Sequence, residues 1–163
     1  MAKQVELLGA QANAVHLDGP AVDATVQLDQ TASRKTMRSF APQSRGTPAE
    51  PDRVFLNLEN ITGSSDATSF KVYVGLKPND DPDQHAENLA GVVTLFGVSD
   101  ATAPNSPHGG NGLNKVIEIT KVVDRLHLAG AEALNEIPVR FALRRGQTSD
   151  VRIGRISIYR QGS

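Results

Sequence analysis

The chain contains neither cysteine nor tryptophan, and only two of its 163 residues are tyrosines. The absence of cysteine excludes disulfides and thiolate metal sites and suits a reducing compartment. A formal net charge of −1 provides no overall field that would attract nucleic acid or an anionic membrane. No apolar run approaches the ~18 residues of a membrane-spanning helix, and the first residues lack the apolar segment of a signal peptide. We therefore expect a cytoplasmic protein without a nucleic-acid or membrane partner, and homo-oligomerisation stays open.

The sequence also lacks the patterns that carry common chemistry. Its histidines are His16, His85, His108 and His127. No pair has the i, i+3 or i, i+4 spacing that places two metal ligands on one helical face. There is no GxSxG nucleophile motif either. We predict no catalytic residue, no cofactor and no metal in this chain.

What the sequence does contain is apolar alternation with a period of two, which is typical of half-buried strands. The runs are VDATVQL, RVFLNLE, FKVYVGL, GVVTLFGV, KVIEIT, IPVRFAL and VRIGRISIY. They predict an all-β fold, an antiparallel β-sandwich of jelly-roll-like type with seven to eight strands. At most one short helix is expected, near 120–129, where an irregular crossover is the alternative.

The last run changes its parity. Val151 and Ile153 occupy odd positions, whereas Ile156 and Ile158 continue at even ones. A switch at Gly154-Arg155 predicts a β-bulge within one bent strand, because glycine accepts unusual backbone angles.

Composition divides the single domain into three parts. Residues 1–28 are predicted to form an N-terminal arm, with a hairpin over AVHL-DGPA-VDATVQL that pairs with the sandwich. Residues 29–52 hold three prolines and many small polar residues, so we expect a flexible loop or linker. Residues 53–163 are predicted to form the main sandwich.

The glycine-rich stretch PHGGNG, residues 107–112, is followed by a strand instead of a helix or a GK[ST] motif. This excludes the usual nucleotide-binding loops and favours a tight turn, with Asn111 and Gly112 suited to positive φ. The arginines of the last strands are expected on their solvent faces, where they could meet an acidic partner surface. They are Arg140, Arg144, Arg145, Arg152, Arg155 and Arg160.

Several stretches in this order resemble the region that follows the copper-binding domain in bacterial tyrosinases and polyphenol oxidases. They are VELLGA, VHLDGPAVDATVQL, RVFLNLENITG, SFKVYVGL, LFGV, HGGNGL, ITKVVDRL, VRFALRR and VRIGRISIYR. The resemblance covers nearly the whole chain apart from 29–52. It implies a β-sandwich beside a tyrosinase-type copper-binding domain, in cis or in trans, with the dicopper centre in that partner.

The resemblance implies a non-catalytic accessory role, since the histidine motifs of a type-3 copper site are absent from this sequence. Such a domain shields the dicopper site and in some members assists folding or copper loading. The candidate partner-facing or plug residues are His108, Gly109, Gly110, Asn111, Phe40, Leu89, Phe96, Arg144 and Arg145. The alternative is a free-standing sandwich that binds protein or carbohydrate, although a carbohydrate platform usually exposes more aromatic side chains than this chain has.

Overall fold

The computed structural model describes residues 3–40, 51–105, 109–128, 135–144, 146–147 and 149–162. Within them the chain forms two antiparallel sheets that pack around one apolar core, which confirms the all-β sandwich. The strands are β1 (Gln4–Gln11), β2 (Val15–His16), β3 (Ala21–Gln27), β4 (Arg53–Thr62), β5 (Ser69–Val74), β6 (Leu89–Thr94), β7 (Leu113–Glu118), β8 (Glu136–Leu143) and β9 (Arg152–Gly162). The helices are α1 (Gln30–Phe40), α2 (Val98–Thr102) and α3 (Thr120–Leu128), with 3₁₀ turns at Pro82–Gln84 and Ala86–Asn88.

Sheet A has the strand order β1-β9-β4-β7, and the short β2 also pairs with β9. Sheet B has the order β3-β8-β5-β6. The first 28 residues therefore supply an outer strand to each sheet. The two outer strands meet at Gly9, which forms a bridge with Leu28 and approaches so closely that a Cβ would overlap the carbonyl of Gln27.

The hairpin predicted in the N-terminal arm is wrong. β2 pairs with β9 in sheet A, whereas β3 pairs with β8 in sheet B. The N–H of Leu17 continues toward β9 by donating to the carbonyl of Val151 at 2.9 Å. The residues between β2 and β3 therefore cross from one sheet to the other. The described residues form nine strands, above the seven to eight expected, because β1 and β2 add to the seven alternating runs.

The prediction of a structureless linker over 29–52 is wrong for its first half, where α1 forms. Asp29 caps this helix, because its Oδ1 accepts the N–H of Ala32 at 2.8 Å. The buried face of α1 consists of Ala32, Ser33, Thr36 and Met37. Three of these four side chains are small or hydroxylated, so the face shows no apolar period in the sequence. Residues 41–50 lie outside the described part of the chain.

The helix near 120–129 is present as α3, so of the two alternatives the crossover is helical. The limit of one short helix is wrong, because α1 and α2 also form. α2 has only five residues and begins at Val98, the last residue of the apolar run GVVTLFGV, so the sequence showed no separate helical pattern there.

The parity switch of the last strand is confirmed, but its form differs from the predicted bulge. Gly154 lies opposite Asn60 of β4, and the pairing of β4 with β9 keeps one register across this point. Asn60 has φ +56°, so both strands change parity together. The register shift falls instead between β4 and β7, between Leu58 and Ile61.

Of the five C-terminal arginines that the structure describes, Arg140 and Arg160 are buried, which corrects the expectation of a solvent face. Arg140 donates to both carboxylate oxygens of Asp23 and to the backbone carbonyls of Lys77, Pro78 and Asp80. Arg160 forms an ion pair with Asp52 in which both side chains are 3% exposed. No helix among the described residues has the length and apolar character needed to cross a membrane.

Candidate functional site

The sandwich has two ends, and β4 runs between them. Near its start, the N–H of Val54 donates to the hydroxyl of Thr120 in α3 at 2.9 Å. Just beyond its last residue, the N–H of Gly63 donates to the hydroxyl of Thr102 in α2 at 3.0 Å. We refer to these as the α3 end and the α2 end. A strand of this length separates them by roughly 30 Å at ~3.4 Å per residue.

Phe96 is at the tip of a tight turn at the α2 end. The N–H of Val98 donates to the carbonyl of Leu95 at 3.0 Å, and Gly97 has φ 85° and ψ 1°. This is the geometry of a type II turn, whose third residue must have positive φ. Leu95 and Val98 are both 0% exposed, whereas the ring of Phe96 is 86% exposed. The turn is therefore anchored in the core on both sides of a ring that points into solvent.

A second loop holds this turn from outside. The N–H of Leu95 donates to the carbonyl of Thr68 at 3.1 Å. Asp66 Oδ1 accepts the N–H of Ser99 at 2.9 Å. The backbone N–H of Ser99, and after it the Ser99 side chain, holds the pKa of Asp66 below its usual range. The β4–β5 loop thus contributes an ionised carboxylate to the base of the Phe96 turn.

The glycine-rich loop packs against the same end of the sandwich. Gly109, Gly110 and Gly112 all have positive φ, which confirms the predicted turn, whereas Asn111 is not among the positive-φ residues. The N–H of Gly112 donates to the carbonyl of Ala101 in α2 at 3.1 Å. A Cβ on Gly112 would overlap the carbonyl of Ile61, so the loop lies directly on the end of β4.

The predicted partner-facing residues separate into two groups. Phe96, Gly109, Gly110 and Asn111 share the α2 end. Arg144 lies there as well, because Leu143 pairs with Phe70 at the start of β5. Its side chain is exposed and lines a groove of about 730 Å³ on the outer face of sheet B. His108 and Arg145 lie outside the described residues.

Phe40 and Leu89 lie at the opposite, α3 end. Phe40 ends α1, is half-buried against the core, and has its ring centroid 6.4 Å from that of His127. Leu89 begins β6 opposite Tyr73, and it borders a small cleft beside the start of α3. The structure therefore does not bring these two residues together with Phe96.

Asp66, Ser99 and Thr102 were not predicted as site residues. Asp66 and Ser99 are far apart in sequence, and each is a common polar residue in a turn-rich stretch. Only the pairing of β5 with β6, which follows Asp66 and precedes Ser99, brings them together. No local signal could have found this contact.

The described residues contain no group of three or more His, Cys, Asp or Glu side chains that could hold a metal. His16 is on β2, His85 lies between the two 3₁₀ turns, and His127 is on α3. These residues do not fit a dicopper centre, and we assign no reaction step to copper on this chain. The expectation that the chain takes no cofactor stays a prediction.

Three comparisons relate this chain to known proteins. A family model described as "Domain of unknown function (DUF7868)" matches residues 4–161. Tyrosinase HcTyr1 of Hahella sp. (strain CCB-MM4) is 28% identical over 109 residues, which are 66% of this chain and 23% of that protein. This similarity confirms the relation to tyrosinases predicted from the ordered stretches.

Solved structures of latent aurone synthase (polyphenol oxidase) share the fold. The enzyme from natural source superposes with a TM-score of 0.55 at 17% identity, covering 91% of this chain and 26% of that chain. The recombinantly expressed enzyme gives a TM-score of 0.55 and 17% identity, over 91% and 25% of the two chains. The chain therefore spans about a quarter of the length of the relatives it matches.

Proposed function

The chain belongs to the DUF7868 family, and on this premise we propose that it is a non-catalytic accessory domain of a tyrosinase-like type-3 copper oxidase. It covers the entrance to the dicopper site of a partner domain, in cis or in trans, and assists folding or copper loading of that partner. The similarity to Tyrosinase HcTyr1 and the shared fold with latent polyphenol oxidase support the association with such an oxidase.

The observation that carries the proposal is the exposed ring of Phe96 on its anchored turn. Burying a phenylalanine side chain contributes about 1.5–3 kcal/mol, and this ring forgoes that contribution at 86% exposure. A single exposed apolar side chain is not unusual by itself. Here the ring also stands on a turn fixed by the core, by Thr68 and by Asp66. An aromatic anchor whose conformation is fixed before binding loses little entropy when it enters a pocket.

The residues around Phe96 at the α2 end are also held in place by hydrogen bonds and packing. The glycine-rich loop packs on β4 and α2 through Gly112. Asn111 is held as well, because its carbonyl accepts the side-chain amide of Asn60 at 3.1 Å. We propose that Gly109, Gly110, Asn111 and Arg144 contact the surface around the partner's entrance, while Phe96 enters it. In this arrangement the ring keeps phenolic substrate out by occupying its path.

The alternative of a free-standing carbohydrate-binding module finds no support in the described residues. Such a platform requires exposed aromatic rings on which sugars stack. Tyr73 is buried and Tyr159 is half-buried. Phe96 is the only phenylalanine among the exposed large hydrophobic side chains of the described residues. One ring on a turn fits insertion into a pocket better than a stacking surface.

The test combines this purified chain with a separately produced tyrosinase-type copper-binding domain. We expect a complex, slower oxidation of an o-diphenol than with the copper-binding domain alone, and a changed copper content if the chain assists loading. Phe96→Ala should raise the concentration needed for half-inhibition at least about thirtyfold, since hot-spot aromatic residues contribute about 2 kcal/mol or more. Absence of a complex together with unchanged oxidation and copper content would refute the proposal.

A further inference from the structure

We propose that Asp66 is a positioning residue for Phe96: its carboxylate fixes the direction in which the turn presents the ring. This inference rests on the proposed function, since it concerns how the inserted ring is held. Asp66 does not contact the partner's reacting atoms, and its effect should pass entirely through Phe96.

The need for such a residue follows from the turn itself. Gly97 must adopt φ 85°, and it is at the same time the N-cap residue of α2. Glycine has no side chain to accept the free N–H groups of the first helical turn, and no side-chain capping bond comes from within this helix. Asp66 supplies the missing acceptor from another loop, with Oδ1 2.9 Å from the N of Ser99.

The carboxylate acts on the turn through the start of α2. Its bond to Ser99 fixes the residue that directly follows Val98, the last residue of the turn. The Ser99 backbone N–H foremost holds the pKa of Asp66 below its usual range, so Asp66 is ionised at neutral pH. Because Phe96 immediately precedes Gly97, any rotation of this turn changes where the ring points.

At this site the effect of Asp66 on the direction of the Phe96 ring is distinct from its effect on the stability of the fold. Leu95 and Val98 are fully buried and secure the turn in the core, so the fold does not depend on Asp66. Asp66 itself is exposed, where a hydrogen bond contributes little to stability. Its loss should leave Leu95 and Val98 in the core but let the Phe96-Gly97 segment between them rotate, so that the ring samples several directions and the entropy cost of inserting it increases. Such a cost weakens binding by about three- to tenfold.

Asp150 offers a matched control. It is also an exposed carboxylate at the α2 end, and its Oδ1 accepts the N–H of Ser64 at 3.0 Å. The side chain of Ser64, and after it the Ser64 backbone, holds the pKa of Asp150 below its usual range. Asp150 holds the first part of the β4–β5 loop at Ser64, whereas Asp66 in the same loop bonds Ser99 directly. Asp150→Asn therefore removes a similar interaction from this loop but keeps the bond between Asp66 and Ser99, so it separates that bond from general support of the loop.

The experiment measures half-inhibition of o-diphenol oxidation by a tyrosinase-type copper-binding domain, using the full chain and its variants. Asp66→Asn should weaken inhibition by about three- to tenfold, and Asp150→Asn by less than about twofold. In a Phe96→Ala background, Asp66→Asn should have no further effect. A residue that merely supports the fold would weaken inhibition in both backgrounds.

The outcomes distinguish this inference from the proposed function. If Phe96→Ala leaves inhibition unchanged, the proposed function fails whatever Asp66 does. If Phe96→Ala weakens inhibition but Asp66→Asn does not, or weakens it equally in both backgrounds, the role of Asp66 is overturned. Should Asp66→Asn fail to fold, Ser99→Ala removes the hydroxyl half of the same contact and should produce a smaller loss, again only when Phe96 is present.

Discussion

The two ends of the sandwich treat the same residue type in opposite ways. At the α3 end, Phe40 lies half-buried against the core and near His127, under the contact between α1 and α3. At the α2 end, Phe96 is 86% exposed although both residues flanking its turn are buried. The α3 end is closed by helices, whereas the α2 end presents a ring on a braced turn. The difference indicates that the α3 end serves stability, and it is the basis of our proposal that the α2 end serves recognition.

The α3 end also contains the most deeply buried ion pair among the described residues. Arg160 Nε lies 2.6 Å from Asp52 Oδ2, and Arg160 Nη1 lies 2.9 Å from Glu6 Oε2. These carboxylates, Asp52 foremost, raise the pKa of Arg160, which stays charged at all ordinary pH values. A charged network with so little exposure is costly to leave incomplete. Disrupting this network is therefore a sensitive test of whether the α3 end stabilises the fold.

The largest expected effect comes from breaking this pair. Asp52→Ala removes the buried carboxylate partner of Arg160, so we expect a loss of about 3 kcal/mol in the free energy of unfolding, at the low end of the range for breaking a buried pair. Urea unfolding followed by circular dichroism measures it. Glu118→Gln is the control, because it breaks the exposed pair with Arg53 and should cost less than about 1 kcal/mol. Equal losses in both variants would contradict the assignment of a buried structural network to the α3 end.

A second pair of variants compares Gly112, where the glycine-rich loop packs on β4, with Gly109 in the same loop. Gly112→Ala places a Cβ into the carbonyl of Ile61, whereas the nearest atom to a Cβ on Gly109 is 3.9 Å away. Both substitutions carry the strain of positive φ, about 1–2 kcal/mol. The overlap should make Gly112→Ala about 2 kcal/mol worse than Gly109→Ala. Thermal and urea unfolding compare them, and indistinguishable stabilities would show that the loop does not brace β4.

Replacing each phenylalanine by alanine tests the contrast between the ends directly. Phe40→Ala should cost about 2 kcal/mol of unfolding free energy, below the value for a fully buried ring because Phe40 is half-buried. Phe96→Ala should change stability by less than about 0.5 kcal/mol, since its ring is exposed. Phe96→Ala should weaken inhibition of the copper-binding domain more than Phe40→Ala does. The contrast fails if Phe96→Ala destabilises the chain as much as Phe40→Ala does.

The smallest effect is a pH dependence at the α2 end. The pKa values of Asp66 and Asp150 are lowered in the folded chain by hydrogen bonds to the ionised form. Their contribution to stability is therefore present above the unfolded value of about 3.9 and is lost as pH falls through the lowered folded pKa. The melting temperature of wild type should slightly exceed that of Asp66→Asn at pH 6, and the difference should vanish near pH 2. A difference in melting temperature that grows as the pH falls would contradict this prediction.

The sequence predicted the parts of the fold that local patterns encode. The alternating runs predicted β3 to β9, whereas β1 lay in none of them, and the parity of Ile153 and Ile156 located the change in β9. Partners distant in sequence could not be predicted, which is why the supposed hairpin proved to be β2 on β9 and β3 on β8. α1 was missed because three of its four buried side chains are small or hydroxylated and Met37 alone gives no apolar period.

The candidate site was only partly predictable for the same reason. Phe40 lies in the predicted loop 29–52 and Phe96 near the end of the apolar run GVVTLFGV, so both were candidates on the loop side of the sandwich. What distinguishes them is packing by elements from elsewhere in the chain, namely α3 beside Phe40 and the β4–β5 loop beneath Phe96. The contact between Asp66 and Ser99 could be recognised only in the folded chain, where β5 pairs with β6.

The most direct test places p-benzoylphenylalanine, a photoreactive aromatic residue, at position 96 of the full chain. After irradiation with a tyrosinase-type copper-binding domain, mass spectrometry identifies the cross-linked peptides. The account predicts cross-links to peptides that carry copper-ligating histidines or border the substrate entrance, and none of these when the same residue replaces Phe40. Cross-links from position 40 to those peptides, with none from position 96, would contradict it.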